Sequence, residues 1–163
     1  MWISTKQKSR GFTLIELLVV IAIIGILATV ASVSLTQARR RARDTKRVSD
    51  IQQIRNGLVI YSNSRATYPP ADATVYPTTP VTLGIDVGCL DDNGFNAAGA
   101  CTGLDIMQRV PAEQTPPPRA QYVYRKTAAS EYEITFQLDG EIGDLPSGNC
   151  TATVDGITCV PIL

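Results

Sequence analysis

Glu16 is the residue whose position most plainly asks for chemistry. It lies near the start of "LIELLVVIAIIGILATVASVSLTQA", residues 14–38, and no other charge appears in that run. A charge at the centre of a bilayer costs about 2.5–3.5 kcal/mol on insertion scales, less near the ends, so an acid in such a segment implies a function and a cationic partner. The other chemically capable side chains are Cys89, Cys101, Cys150 and Cys159, all in the C-terminal half. They form no C-x-x-C pair, and the chain has no histidine to complete a zinc set. That pattern points to disulfides in an oxidising compartment. Of the three connectivities that four cysteines allow, Cys89–Cys101 and Cys150–Cys159 are expected, because each closes a short loop.

The composition argues against catalysis. Without histidine the commonest general base and metal ligand at neutral pH is missing. There is no nucleophile beside a recognisable base, no Gly-rich phosphate loop and no metal cluster, so no catalytic residue, metal ligand or cofactor is assigned. Glu131 and Glu133 alternate along a strand pattern, which reads as a solvated face. The net charge of zero hides a strong asymmetry. Residues 1–11 hold three cations and no acid, residues 12–65 eight cations and three acids, and residues 66–163 four cations and twelve acids. An acidic C-terminal part repels phosphate backbones, so direct nucleic-acid readout is not expected.

These residues must be carried by a few elements. Leu17–Ala38 is uncharged, and its 22 residues would rise about 33 Å as a helix, enough to cross a bilayer core. From Ala38 onward apolar residues recur at helical spacing (Ala38, Ala42, Val48, Ile51, Ile54, Leu58, Tyr61) among charged and polar ones. The pattern predicts one helix from about Thr13 to about Ser62, membrane-spanning over 12–36 and amphipathic over 37–62. Gly57 is its expected weak point, and Pro69-Pro70 stops it. Residues 63–119 are proline- and turn-rich and read as irregular, with a short helix around Asp105–Arg109. "AQYVYRKT" (120–127) and "EYEITFQL" (131–138) alternate as a hairpin, and "CTATVDGITCV" (150–160) is a second hairpin turning at Asp155-Gly156. The fold class is therefore α+β: a long N-terminal helix whose amphipathic half packs on a small antiparallel sheet in a head of residues 63–163.

Three readings of the N-terminus fit these elements. A secretory signal cut after Ala31 fits the basic start and the small residues, but it would discard much of the helix. A plain anchor explains the length but neither Gly11 nor Glu16. A membrane-anchored or secreted binding module would present the Tyr- and Pro-rich loops of the head. "KSRGFTLIE", residues 8–16, followed by the apolar helix, resembles the N-terminus of type IV pilins and type II secretion pseudopilins. The resemblance covers residues 6 to about 35.

That resemblance implies a structural filament subunit made as a single-pass precursor. Residues 1–11 are then a leader, and a prepilin peptidase/methyltransferase cuts between Gly11 and Phe12 and methylates the new Phe12 amine. Glu16 is then the acid used in assembly, pairing with the Phe12 amine of a neighbouring copy. The implied partners are the chain itself, an inner-membrane assembly platform and membrane lipid before assembly. The implied location is the cytoplasmic membrane with the head outside, then a surface pilus or a periplasmic pseudopilus. Gly25 matches a glycine common in the family, whereas Val33 stands where many members have proline. Three cations before the span and six over residues 39–47 would place the head inside, which the cysteines oppose. The basic run at 39–47 reads as a solvated helical face or as a contact for anionic lipid head groups or for the acidic heads of neighbouring copies. "DDNG", residues 91–94, resembles a piece of a calcium loop, and some secretion pseudopilins bind calcium in the head. Its spacing to Asp86 does not fit an EF-hand, and a turn capped by Asp and Asn is the preferred reading.

Overall fold

The computed structural model describes residues 12–70, 78–113 and 121–161. The chain divides into two compact units, residues 1–39 and 40–163. Helix α1, Leu14–Arg65, supplies the described regular structure of the first unit and the opening element of the second.

In the first unit the helix is apolar and uncovered. Residues 14–39 are all exposed, with Leu14 at 81% and Leu27 at 63%. A helix that is hydrophobic on every side requires burial elsewhere, in lipid or among its own kind.

In the second unit α1 buries Asp44, Arg47, Ile51, Ile54, Gly57, Leu58 and Tyr61, a series of three- and four-residue steps that makes one face. Ala38 and Ala42, expected on that face, are exposed; the buried positions one and two turns before Ile51 belong to the ion pair Asp44–Arg47. The helix ends with Ala66 in the left-handed region (φ 56°), where its N–H donates to the Ser62 carbonyl at 2.7 Å. That arrangement satisfies an orphan carbonyl of the last turn.

The sheet strands are β1 (Val81–Thr82), β2 (Cys89–Asp91), β3 (Gly94–Asn96), β4 (Asp105–Met107), β5 (Val123–Ala128), β6 (Glu131–Leu138), β7 (Gly148–Ala152) and β8 (Ile157–Val160). They form a five-stranded sheet in the order β1-β5-β6-β7-β8 and a three-stranded sheet in the order β3-β2-β4, and every strand pairing is antiparallel. Both expected hairpins are present, as β5–β6 and β7–β8, and β6 pairs with β7 to merge them. The alternation of β6 is as read: Tyr132, Ile134, Phe136 and Leu138 are buried, and Glu131 and Thr135 are exposed. The Asp155-Gly156 turn is closed by a bond from the Thr153 N–H to the Gly156 carbonyl at 2.8 Å.

Two expectations for the middle of the chain fail. Residues 63–119 are not wholly irregular, since they supply β1 to β4. The segment expected as a short helix around Asp105–Arg109 contributes a strand instead: Leu90 pairs with Met107 and Asp91 with Asp105. Five residues cannot hold a helix against a ready edge of β2, because helix nucleation is costly.

The core joins α1 to both sheets. Ile51, Ile54, Leu58 and Tyr61 meet Tyr122, Tyr124, Tyr132, Ile134, Phe136 and Leu138. Edge-to-face ring pairs, Tyr68–Tyr132 at 4.7 Å and Phe95–Tyr124 at 5.0 Å, add about 0.5–1.5 kcal/mol each beyond burial. Gly57 is not simply a weak point. A Cβ there would lie 2.8 Å from Met107 Cε and 3.6 Å from Leu90 Cδ2, so glycine lets the helix approach the three-stranded sheet closely.

Candidate functional site

The first candidate is the start of α1. Thr13 is its N-cap. The Glu16 N–H donates to Thr13 Oγ1 at 3.3 Å, and Glu16 Oε2 accepts from both the Thr13 N–H and the Thr13 hydroxyl at 2.9 Å. This is a reciprocal capping box, which satisfies helix-end donors that would otherwise be orphaned. Its T-x-x-E spacing is readable in the sequence, but it passes unnoticed when Glu16 is considered only for a partner on another copy. Glu16 Oε1 makes no hydrogen bond with a described residue. The carboxylate is thus held toward the helix start with one oxygen uncommitted. Phe12, one residue before the cap, is 87% exposed. Gly11 lies outside the described residues. At Gly25 a Cβ would meet nothing within 4 Å, so nothing in the lone chain demands glycine there.

The second candidate is a buried ion cluster low on the helix in the second unit. Arg47 places Nη1 2.5 Å from Asp44 Oδ1 and 3.2 Å from Asp139 Oδ2, and Nε 2.6 Å from Glu113 Oε2. Asp44 also accepts the backbone N–H groups of Asp139 at 3.1 Å and Gly140 at 2.8 Å. Burial works against the Arg47 charge, but Glu113 and Asp44 outweigh it and raise its pKa above the ordinary value. The cluster ties the loops at 113 and 139–140 to α1. The basic run was expected to be a solvated face or a contact for lipid or neighbouring heads. Arg47 departs from that by turning inward. The signal was available, because positions 44 and 47 continue the 51, 54, 58 series.

The third is the "DDNG" turn. Asp91 Oδ1 accepts from the Asn93 N–H at 2.8 Å and Asn96 Nδ2 at 3.1 Å, while Oδ2 accepts from the N–H groups of Thr102 at 3.2 Å and Gly103 at 3.0 Å. Burial alone would raise its pKa, but backbone donors from Gly103, Asn93, Thr102 and Gly94 outweigh that and hold it below the usual carboxylate value. Asp92 accepts from the Leu104 N–H at 3.0 Å. Both acids accept N–H donors of the turn and the loop after it. The turn organises the loop that Cys101 closes.

The structure joins Cys89 to Cys101 and Cys150 to Cys159. The first links β2 to the loop after β3, and the second crosses the paired strands β7 and β8.

Comparison with known proteins bears on the first candidate. A family model described as the prokaryotic N-terminal methylation motif matches residues 6–32. The N-terminal segment matches this methylation motif. It contains Gly11, Phe12, Thr13 and Glu16, so the capping box lies inside it. Among curated proteins the chain is 44% identical over 63 residues to type II secretion system core protein G of Escherichia coli (strain K12), covering 39% of this chain and 43% of that one. It is 35% identical over 80 residues to core protein G of Dickeya chrysanthemi, covering 46% and 52%. It is 62% identical over 39 residues to the type IV wide pilus major component PilA4 of Thermus thermophilus, covering 24% and 30%. The chain spans about half the length of the curated core G proteins it matches. No solved structure matches it. By name these relatives are a core protein of type II secretion systems and the major component of a type IV wide pilus, and the helix that carries the motif is long and apolar enough to cross a membrane.

Proposed function

We propose that the protein is a filament subunit, synthesised with residues 1–11 as a leader, cut between Gly11 and Phe12, methylated on Phe12 and polymerised through α1. The observation that carries this reading is the conjunction at the helix start: an exposed Phe12, a Glu16 carboxylate with one uncommitted oxygen, and an uncovered apolar helix behind them, all within the methylation motif. Cleavage creates a cationic amine at Phe12. In a filament core of packed helices that amine requires an anion, and Glu16 of a neighbouring copy is suited to supply it. The chain performs no bond chemistry of its own. It acts with a prepilin peptidase/methyltransferase, with an inner-membrane assembly platform and with further copies of itself, passing from the cytoplasmic membrane into a surface pilus.

A type II secretion pseudopilus is the second reading. The core protein G matches favour it, because those cited run over 63 and 80 residues against 39 for the pilus component.

N-terminal sequencing of membrane-extracted protein tests the proposal. The expected start is Phe12, one methylene heavier than the free amino acid, and Gly11→Val is expected to leave full-length precursor. A start near Ser32 or a retained Met1 would refute it. Shearing cells and assaying surface filaments against periplasmic retention separates pilus from pseudopilus.

A further inference from the structure

The first three cations that follow the apolar stretch of α1 take no part in the clusters described above. Arg39, Arg40 and Arg41 are exposed and make no hydrogen bond or ion pair with a described residue. Just beyond them Arg43 is 3.9 Å from Asp139 and Lys46 is 2.9 Å from Asp50. Successive helical residues are about 100° apart, so the three arginines face about 200° of the circumference. A single protein partner meets one helix face, at three- and four-residue spacing. Consecutive cations make a collar, which suits surroundings that enclose the helix.

Position along the helix identifies those surroundings. The uncharged residues Leu17–Ala38 rise about 33 Å, against a hydrocarbon core of about 30 Å. When the helix spans a bilayer, the collar falls in the headgroup layer on the head side. All three cations are arginine, whose planar fork matches phosphate oxygens bidentately. The collar also accounts for a cost, since six cations over residues 39–47 oppose export of the head.

We infer that Arg39, Arg40 and Arg41 bind the phosphates of anionic phospholipids and fix the depth of α1 in the membrane. This rests on the reading of α1 as membrane-spanning before assembly. Fixing the depth also fixes the level of Phe12 and Glu16 at the other end of the apolar stretch. The collar must let go of lipid when the subunit leaves for a filament.

The test reconstitutes the full chain in phosphatidylcholine vesicles containing a minor fraction of phosphatidylglycerol, extracts it in mild detergent and counts retained lipids by native mass spectrometry. Phosphatidylglycerol is expected to be enriched at least about fivefold over the vesicle ratio, the scale of one engaged arginine at an anionic surface. Arg39→Gln/Arg40→Gln/Arg41→Gln is expected to abolish the enrichment, and Lys46→Gln to leave it. Lipids retained in the bulk ratio by the unaltered chain, or enrichment persisting in the triple variant, would overturn the inference. Inorganic phosphate at constant ionic strength should leave the enrichment in place; abolition by phosphate would reveal a general phosphate site and overturn the lipid assignment. Loss of cross-linked dimers in the triple variant with enrichment unchanged would assign the collar to a second copy instead. Incorporation without selectivity overturns the collar alone, whereas failure to incorporate into vesicles of either composition overturns the membrane reading with it.

Discussion

Replacing Asp44 with alanine should destabilise the second unit by about 3–5 kcal/mol. Asp44 is fully buried and receives the N–H groups of Asp139 and Gly140 as well as Arg47 Nη1. Stranding two half-buried backbone donors costs up to about 1–3 kcal/mol each. The guanidinium keeps Glu113 and Asp139, so it does not suffer the further 3–5 kcal/mol of a fully broken buried pair. Asp44→Asn retains one acceptor oxygen and should cost about half as much, which separates hydrogen bonding from charge. Urea unfolding of the detergent-solubilised chain lacking residues 1–11, and with them its single tryptophan Trp2, followed by near-UV circular dichroism in the tyrosine band, reads this unit, because all six tyrosines lie at or after position 61. A loss below about 1 kcal/mol for alanine would refute the reasoning, and the loops at 113 and 139–140 would then be held by apolar contacts.

Gly148 has φ 138°, and a Cβ there would lie 2.1 Å from the Val160 carbonyl oxygen; Gly148→Ala should cost more than about 3 kcal/mol through strain and clash, with Gly156→Ala, which opens on empty space, neutral in the same urea assay. The depressed pKa of Asp91 gives stability that is complete above the ordinary carboxylate value of about 3.9 and is lost as pH falls through the lower folded value. Acid unfolding should therefore steepen below about pH 4, and Asp91→Asn should flatten it; identical acid profiles would mean that the carboxylate is not the sensor. Glu16→Ala should leave cleavage after Gly11 intact, with mature protein in the membrane fraction, while sheared filaments fall sharply. Normal filament yield would mean that assembly rests on apolar packing alone.

What the sequence made legible depended on the length of each signal. The eight-residue alternation of β6 and the Asp155-Gly156 turn each repeat or punctuate a pattern strongly enough to survive without tertiary information. The strands β1 to β4 have two or three residues, too few to show a period. β2 to β4 exist because β2 lies between two partners and the donors around Asp91 close the turn beside it, and β1 exists because it adds to the edge of β5. The Asp44–Arg47 pair was misread for another reason: hydropathy assigns charged residues to solvent, but a buried charge is tolerated where the backbone and opposite charges satisfy it.

Glu16 shows the same logic at the other end of the helix. Taken as a charge in an apolar run it demands an external partner, and the sequence suggests nothing nearer. The fold supplies one in Thr13, which binds Oε2 through two donors. Both Thr13 donors reach Oε2, and the geometry leaves Oε1 as the oxygen that a cation from another copy can approach. The cap and the intermolecular pair are therefore compatible uses of one carboxylate, each on its own oxygen.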